Sequence, residues 1–177
     1  MLDDEIIISG EQIYFKFITK KNIDLGWHDW INDKNLNKFL VSNKKYTKED
    51  LSDYIKKSQP PSCYMFAVYS LGSDQYIGNA RLSSIDYVNK KASYGRLMGG
   101  GYHGKGYGTE SLKLLANFAF KNLGLHRIES GVNSNNISSI KSNIKAGAIQ
   151  EGILKESVLV DGEFQDTILF AFINICI

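Results

Sequence analysis

Six glycines fall within ten residues, from Gly99 to Gly108, and a stretch with helical periodicity follows directly. Because glycine has no Cβ, successive backbone N–H groups can point into one concavity at little steric cost. The first turn of the following helix adds free amides and the positive end of the helix dipole. A glycine loop that leads into a helix is typical of an anion site. The segment therefore predicts a loop that binds a phosphate or pyrophosphate group.

Three glycine motifs overlap in this segment. The run Gly99-x4-Gly104-Lys105 begins like a Walker A loop, but Gly106 stands where a Ser or Thr must bind magnesium. The spacing Gly99-x-Gly101-x-x-Gly104 fits the dinucleotide fingerprint, which requires that its glycines open a helix at the head of a βαβ unit. Gly104 does not open the helix, so this motif is a weak alternative. The third motif is His103-x-x-Gly106-x-Gly108.

The third motif resembles the (Gln/Arg)-x-x-Gly-x-(Gly/Ala) loop of the GNAT superfamily of acyl-CoA-dependent acetyltransferases, and residues 102–110 are most similar to its RimJ/RimL-like branch. His103 departs from the Gln, Arg or Trp that other members carry. In that family the loop amides hold the pyrophosphate of CoA, and the preceding strand end offers its backbone to the pantetheine arm and the thioester carbonyl. The resemblance therefore implies acetyl-CoA as co-substrate, bound by Leu97, Met98, His103, Gly104, Lys105, Gly106, Tyr107, Gly108 and Thr109.

A second segment, residues 132–148, is similar to the family's other cofactor segment, in which Asn-x-x-Ser opens a helix that closes with Lys-x-Gly. Asn136, Ser139 and Asn143 are spaced so that they share one polar face of this helix. The same spacing predicts that the isoleucines of the helix face inward; they are Ile137, Ile140 and Ile144. The resemblance implies that the three polar residues contact the cofactor or the acceptor.

Position 143 departs from the family pattern. Many members carry a Tyr there, whose phenol can protonate the leaving thiolate, and the Asn143 amide cannot donate a proton in that way. Ser139 or a water molecule must then substitute. The catalytic residues that we expect are Ser139, Asn136, the backbone of Met98 as an oxyanion contact, and Asp86 as a general base. Asp166 and His28 are the other candidates for the base.

Acceptor binding is assigned to the first helix, which lies against the acceptor cleft in the family that the chain resembles. Trp27, His28 and Trp30 stand on this helix, and Asp166 belongs to a late hairpin motif of the same branch. A pair of tryptophans is more often part of a core than of a binding surface. Both interpretations of Trp27 and Trp30 remain open at this point.

Composition excludes several classes of protein. The chain has 177 residues, 43% of them hydrophobic, which suits one soluble domain, residues 1–177. Its formal net charge of +2 is too small to predict a nucleic-acid partner. The acidic N-terminus lacks a signal peptide and no apolar run spans a bilayer, so we expect a cytoplasmic protein with no membrane partner. Cys63 and Cys176 are read as reduced thiols, and the histidines show no metal-ligand spacing, so no metal is expected.

Periodicity predicts an α/β (α+β) fold on a mostly antiparallel sheet. The resemblance implies a GNAT-like domain, with a mixed, mostly antiparallel twisted sheet flanked by about four helices. A helix should start after Asp24, and Thr47 to Asp50 forms a capping box for another. Gly124 and Gly147 should end the last two helices. The predicted strands are Glu11 to Ile18, Cys63 to Tyr69, Tyr76 to Asp86, Lys91 to Met98, Leu125 to Val132, Ala148 to Val160 and Phe164 to Ile173; the later helices are 48–58, 109–122 and one capped by Asn135 or Asn136.

The expected reaction is direct transfer of an acetyl group from acetyl-CoA to a primary amine. The acceptor is a nucleotide-linked amino sugar or another small molecule, or a protein N-terminus, with the amino sugar ranked only slightly ahead. A strongly acidic cleft would favour a polyamine or an aminoglycoside, whereas the mild basicity of the chain suits an amino sugar or a peptide. Two further alternatives stay open: a non-catalytic acyl-CoA-binding sensor and a nucleotide-binding regulator. A homodimer is one option for the assembly.

Overall fold

The computed structural model describes residues 5–39 and 44–175, without the side chain of Asn37. Its eight strands form one sheet in the order β1-β2-β3-β4-β5-β6-β8-β7. The strands are β1 Ile8–Ser9, β2 Ile13–Phe17, β3 Tyr64–Ser70, β4 Tyr76–Asp86, β5 Lys91–Met98, β6 Arg127–Asn133, β7 Ile149–Val160 and β8 Glu163–Ile173. The helices are α1 His28–Asn32, α2 Lys34–Asn37, α3 Lys48–Lys57, α4 Tyr107–Lys121 and α5 Ile137–Ala146, with a π turn at Ile23–Trp27 and a 3-10 turn at Gly100–Tyr102.

The pairing of β5 with β6 is the feature of the sheet that matters most for function. These two strands run parallel, whereas the other neighbouring strands of the described sheet run antiparallel. Their register covers only residues 91–93 against 127–129. Beyond those pairs both strands continue without each other, so the middle of the sheet is split. The predicted mixed, mostly antiparallel α/β fold is confirmed.

Two apolar clusters cover the two faces of the sheet. One packs under α4 and contains Phe15, Phe66, Ile77, Leu82, Leu112 and Leu115; the other packs under α1 and α3 and contains Ile23, Trp27, Leu51, Ile55, Met65 and Tyr76. Strand β3 contributes Phe66 to the first cluster and Met65 to the second. A strand that is buried on both faces reads as a continuous apolar run, so the prediction of a central strand at Cys63 to Tyr69 is confirmed.

Several boundaries differ from the predicted ones. Asp24 does not cap the first helical segment, which follows Asn22 and is interrupted at Gly26, where φ is 134°. The Asn22 side chain instead accepts hydrogen bonds from Thr19. Helix α4 begins at Tyr107, two residues before the predicted start, because Gly106 with φ of 90° serves as its N-cap. The short elements β1 and α2 were not predicted.

Local turn chemistry accounts for the closing hairpin of β7 and β8. Asp161 and Gly162 have φ values of 50° and 85°. Two consecutive residues with positive φ form the kind of two-residue turn that matches the twist of antiparallel strands. The hairpin predicted at Asp161-Gly162 is confirmed.

No helix within residues 5–39 and 44–175 combines the length and the apolar character that crossing a membrane requires.

The capping box of α3 gives a stability prediction. The Thr47 hydroxyl accepts from the Asp50 N–H at 3.1 Å, and the Asp50 carboxylate accepts from the Thr47 N–H at 2.9 Å. Thr47→Ala removes one of these bonds and should lower the free energy of unfolding by about 1 kcal/mol, measured by urea denaturation. Thr47→Ser keeps the hydroxyl and should stay close to wild type. An equal loss in both variants would contradict a capping role.

Candidate active site

The split between β5 and β6 opens into a cleft of about 740 Å³. On one side of the sheet its wall includes Trp27 and residues of α3 and β4. On the other side it reaches the glycine loop and the N-terminal turns of α4 and α5. A ligand in this cleft can therefore contact both faces of the sheet.

The free edge of β5 lines the middle of the cleft. Gly99 donates its N–H to the Ile77 carbonyl at 2.9 Å, so residue 99 points its main-chain groups toward β4. Main-chain groups alternate in direction along a strand, and Met98, Arg96 and Tyr94 therefore point theirs toward β6. Since β6 has already diverged there, these groups face the cleft without a strand partner. The Met98 N–H is thus available to an oxygen atom in the cleft.

The glycine loop carries unpaired amides. The N–H groups of residues 103–108 donate no hydrogen bond within the described chain, whereas Thr109 and Glu110 both donate back to the Gly106 carbonyl. Gly104 and Gly106 have φ values of 77° and 90°, a backbone conformation that other residues adopt only with strain. Six consecutive free donors at the positive end of a helix match the chemistry of a phosphate group.

Arg96 adds a positive charge to this loop. A Cβ placed on Gly108 would overlap the Arg96 guanidinium, so this side chain lies against the first turn of α4. It makes no hydrogen bond or ion pair with any other described residue, and burial lowers the pKa of Arg96 to about 10. A cation at the positive end of a helix is repelled unless an anion lies between them. The sequence analysis missed Arg96, although its alternation with Tyr94 and Met98 along β5 would have shown a charge on an inward position.

Helix α5 lies along the cleft and is joined to β5 by one buried hydrogen bond. Tyr94 donates its hydroxyl to the Asn143 amide oxygen at 2.6 Å, and the Asn143 amide donates to the Ser139 carbonyl at 2.9 Å. Asn143 is 1% exposed. Because the oxygen and the nitrogen of its amide are both hydrogen-bonded, Asn143 holds α5 against β5. Tyr94 is a second residue of the cleft that the sequence analysis missed.

The orientation of α5 corrects a prediction. Ile137 and Ile144 were expected to face inward, but they are 54% and 57% exposed, and Ile140 is only partly buried. The predicted polar face is the one that turns to the cleft, where Asn136, Ser139 and Asn143 all contribute to the lining. Asn136 also caps α5 by accepting from the Ser139 N–H at 3.1 Å. The apolar spacing was read as a core face because the polar character of the cleft cannot be seen in a periodicity.

The two tryptophans have different positions. Trp27 is 2% exposed, lines the cleft, and packs edge-on against Tyr54 with ring centroids 6.1 Å apart. Trp30 stacks on Tyr76 at 4.9 Å and is not part of the lining. A Cβ on Gly99 would lie only 2.6 Å from the Trp30 ring. Trp30 therefore supports the start of the glycine loop from behind.

Three of the residues considered as a base do not line the cleft. Asp86 pairs with Lys91 at the closed end of the β4–β5 hairpin, and Met98 lies at the other end. Asp86 accepts two hydrogen bonds from Asn89, which hold the pKa of its carboxyl below the usual range. Asp166 accepts from Lys155 at 2.8 Å and from the Glu156 N–H at 3.0 Å, and the Lys155 ammonium lowers its pKa. His28 contacts Asp29 at 3.3 Å on the outside of α1. The contacts of these three side chains are local and lie outside the cleft.

Some of the predicted cofactor-binding residues line the cleft and others do not. His103, Gly104, Gly106, Gly108 and Thr109 line the cleft, as do Leu97 and Met98. Lys105 lies with its ammonium 5.7 Å from the Tyr102 ring centre, and the Tyr107 side chain packs against the core under α4. Only the main chain of these last two residues belongs to the run of free amides.

The charged side chains of the cleft are all basic. They are Arg81, Arg96, Lys141 and Lys145, and the described lining contains no Asp or Glu. Nor do any three His, Cys, Asp or Glu side chains within the described ranges lie close enough together to hold a metal ion. Cys63 is a buried free thiol whose pKa is raised by burial, and Cys176 lies outside the described residues.

Comparisons with known proteins agree with this geometry. The family model described as "Acetyltransferase (GNAT) domain" matches residues 15–149. Probable N-acetyltransferase YjcK of Bacillus subtilis is 30% identical over 125 residues, which cover 70% of this chain and 69% of YjcK.

Two solved structures share the fold. The spermidine N-acetyltransferase of Vibrio cholerae, solved in complex with CoA and spermine, superposes with a TM-score of 0.85 at 19% identity over 93% of this chain and 96% of that one. The ribosomal-protein-S5-alanine acetyltransferase of Vibrio fischeri superposes with a TM-score of 0.82 at 20% identity, covering 96% and 97%. At these identities the likeness extends to the fold.

The position of Arg96 predicts that this side chain destabilises the protein when no anion is bound. Arg96→Met removes a half-buried, unpaired cation from the positive end of α4 and should raise the free energy of unfolding of the ligand-free protein by about 1 kcal/mol. Chemical denaturation without added anions measures this change. The control is Arg127→Met, because Arg127 is ion-paired to Glu129 and Glu151 and its loss should destabilise the protein. A loss of stability in both variants would contradict an unpaired Arg96.

Proposed function

Since the chain belongs to the GNAT family of acetyltransferases, we propose that its cleft takes acetyl-CoA from the side of the glycine loop and a primary amine from the side of Trp27. The acetyl group passes directly between the two substrates. We assign this activity to residues 1–177 as one domain, and assembly as a homodimer stays a prediction.

The free amides of residues 103–108 are the observation that carries this proposal. A CoA pyrophosphate bears two negative charges, and each hydrogen bond to a charged acceptor contributes about 1.5–3 kcal/mol. Arg96, which lacks a partner in the described chain, would supply the balancing charge. We assign the pyrophosphate to residues 103–109, the pantetheine arm to the free edge at Leu97 and Met98, and further contacts to Asn136 and Ser139. Asn143 would hold α5 at the right distance.

Acetyl-CoA supplies an activated acetyl group as a thioester. The Met98 N–H, which faces the cleft, would donate a hydrogen bond to the carbonyl oxygen as negative charge develops on it. The loss of such a donor typically lowers the rate about 100–1,000-fold. Ser139 carries the hydroxyl that we assign as proton donor to the departing sulfur. A thiol with a pKa of about 8.5 also leaves as a thiolate, so this help is modest.

Deprotonation of the amine is assigned to solvent. An ammonium has no lone pair, and Asp86, Asp166 and His28 lie outside the cleft. Arg81 and Arg96 disfavour a further positive charge nearby and therefore lower the pKa of a bound amine. A basic cleft thus increases the reactive, neutral fraction of the acceptor without a carboxylate.

The same charges argue against a polyamine as acceptor. Spermidine carries several positive charges, and every charged side chain in the described lining is basic. A nucleotide-linked amino sugar remains the favoured acceptor and a protein N-terminus the second, because neither requires an acidic cleft. Polyamines stay as the alternative on account of the spermidine acetyltransferase that shares the fold.

Incubation of the protein with acetyl-CoA and a panel of amines, followed by detection of free thiol, tests the proposal. We expect thiol release with at least one amino sugar or peptide, and none with Gly106→Glu, because a carboxylate in the cradle repels the pyrophosphate and a side chain at a φ of 90° strains the loop that presents the amides. Gly72→Glu is the control, since Gly72 has open space around it and lies in a turn outside the cleft.

Acetyl-CoA binding without thiol release across the whole panel would favour a sensor module instead. Equal affinity for acetyl-CoA in wild type and Gly106→Glu would contradict the assigned pyrophosphate site.

Deprotonation by solvent predicts a simple pH profile. For an acceptor whose amine has a pKa near 10, the neutral fraction rises about tenfold per pH unit below that value. We expect kcat/KM, measured by thiol release, to rise by about the same factor for each pH unit, and therefore about 100-fold between pH 7 and pH 9. A plateau above pH 7 would show that the enzyme supplies a base, and His103→Ala would then be the first variant to examine.

A further inference from the structure

Arg81 is a basic side chain of the cleft that neither the fold nor the cofactor contacts explain. It projects from β4 to the side of the sheet that carries α3, where it donates a hydrogen bond to the Tyr54 hydroxyl and lies 5.8 Å from the centre of that ring. The described chain contains no carboxylate within ion-pair distance of it. Its partner is thus a neutral phenol, although a guanidinium is most stable beside a carboxylate or a phosphate.

The remaining donors of Arg81 face the cleft. Removing a charge from water is unfavourable unless the charge is paired, and burial lowers the pKa of Arg81 below its usual value. Every side-chain polar atom that is fully shielded from solvent in the described chain has a hydrogen-bond partner. The nitrogen atoms of Arg81 that lack a partner therefore still reach solvent, and the solvent that they reach is that of the cleft, which Arg81 lines.

Tyr54 supplies a second donor beside Arg81. Because its oxygen accepts from the guanidinium, the phenol proton is free to be donated elsewhere. Tyr54 also packs edge-on against Trp27, which fixes the ring in the wall of the cleft. A rigid phenol next to a cation with free donors is a suitable site for two oxygen atoms of one anionic group.

From this arrangement we propose that Arg81 and Tyr54 bind an oxyanion of the acceptor, a phosphate or a carboxylate, while its amine reacts at Met98. This inference rests on the proposed acetyl transfer and adds the chemical class of the acceptor. It assigns Arg81 as the residue that selects anionic amines and rejects polycations.

The sheet register sets the spacing between the two ends of such an acceptor. Arg81 lies opposite Gly95, and Gly95 precedes Met98 by three residues. At about 3.3 Å per residue, the two positions are about 10 Å apart along the strand, part of which the Arg side chain spans. The acceptor therefore has its amine and its oxyanion several bonds apart, as in an amino sugar phosphate.

Matched acceptors test the proposal by thiol release. We compare glucosamine 6-phosphate with glucosamine for the phosphate arm, 6-aminohexanoate with hexylamine for the carboxylate arm, and spermidine as a polycation. The wild-type enzyme should use at least one anionic member about tenfold better in kcat/KM than its neutral counterpart, and spermidine worst. The arm with the larger ratio identifies the oxyanion.

Arg81→Gln should reduce the ratio of anionic to neutral acceptor to nearly one, and Tyr54→Phe should reduce it in part. Lys113→Gln is the control, because it removes one positive charge from the exposed surface of α4 and should keep the ratio. Arg81→Glu should raise the use of spermidine relative to the anionic acceptors. Thermal unfolding and acetyl-CoA titration by calorimetry establish that each variant is folded and binds the co-substrate.

Two results separate this inference from the proposed function. If neutral and anionic amines react equally well and Arg81→Gln leaves their ratio unchanged, the oxyanion site is overturned while acetyl transfer stands. If no amine reacts, acetyl transfer fails, and calorimetric titration of glucosamine 6-phosphate in the presence of CoA decides the question for Arg81. Equal binding by wild type and Arg81→Gln, or no binding by either, would then overturn the site.

Discussion

The structure depends on the early separation of two parallel strands. β5 and β6 pair only over residues 91–93 and 127–129, and then leave an unsatisfied strand edge in the middle of an otherwise continuous sheet. A strand edge with unpaired N–H and C=O groups is normally avoided inside a protein. Here it lines a cleft whose wall includes residues from both faces of the sheet. The edge can therefore bind an extended ligand as a strand would.

The polar groups around this opening are hydrogen-bond donors that suit negatively charged ligands. Six unpaired amides and the Arg96 guanidinium lie on the side of α4, whereas Arg81 and Tyr54 lie on the side of α3. The bond between Tyr94 and Asn143 spans the split without filling it. The fully buried side-chain polar atoms of the described chain all have partners. The unpaired side-chain donors of the cleft are therefore ones that solvent or a ligand can reach.

A shared fold does not imply a shared acceptor. The spermidine acetyltransferase with a TM-score of 0.85 has the same architecture, yet the described lining of this cleft contains basic and neutral side chains only. Function resides in the side chains that a fold carries. A cationic lining opposes a polycationic ligand and favours the neutral form of an amine. The acceptor is therefore better inferred from the charges of the cleft than from the architecture.

Features that depend on neighbouring residues could be predicted from the sequence. The glycine loop, the Thr47 capping box and the Asp161-Gly162 turn each rest on backbone preferences within a few residues, and the apolar run of β3 indicates burial on both faces. The boundary of α4 was missed by two residues because the left-handed Gly106 moves the helix start. The match to the cofactor segments identified the reaction, since the amides that hold a pyrophosphate belong to the loop itself.

Tertiary structure alone decided which side chains meet. Arg81, Tyr54 and Trp27 come from three separate elements, and Arg96 of β5 lies against the first turn of α4, so no spacing along the chain brings them together. Asp86 and Asp166 looked suitable as bases by residue type, but register places Asp86 at the end of a hairpin and Asp166 against the bulge of β7. The isoleucines of α5 face outward because the split turns the polar face inward. Local preferences determined the elements and the cradle, whereas the divergence of β5 and β6, which depends on packing across the sheet, determined the cleft and its charge.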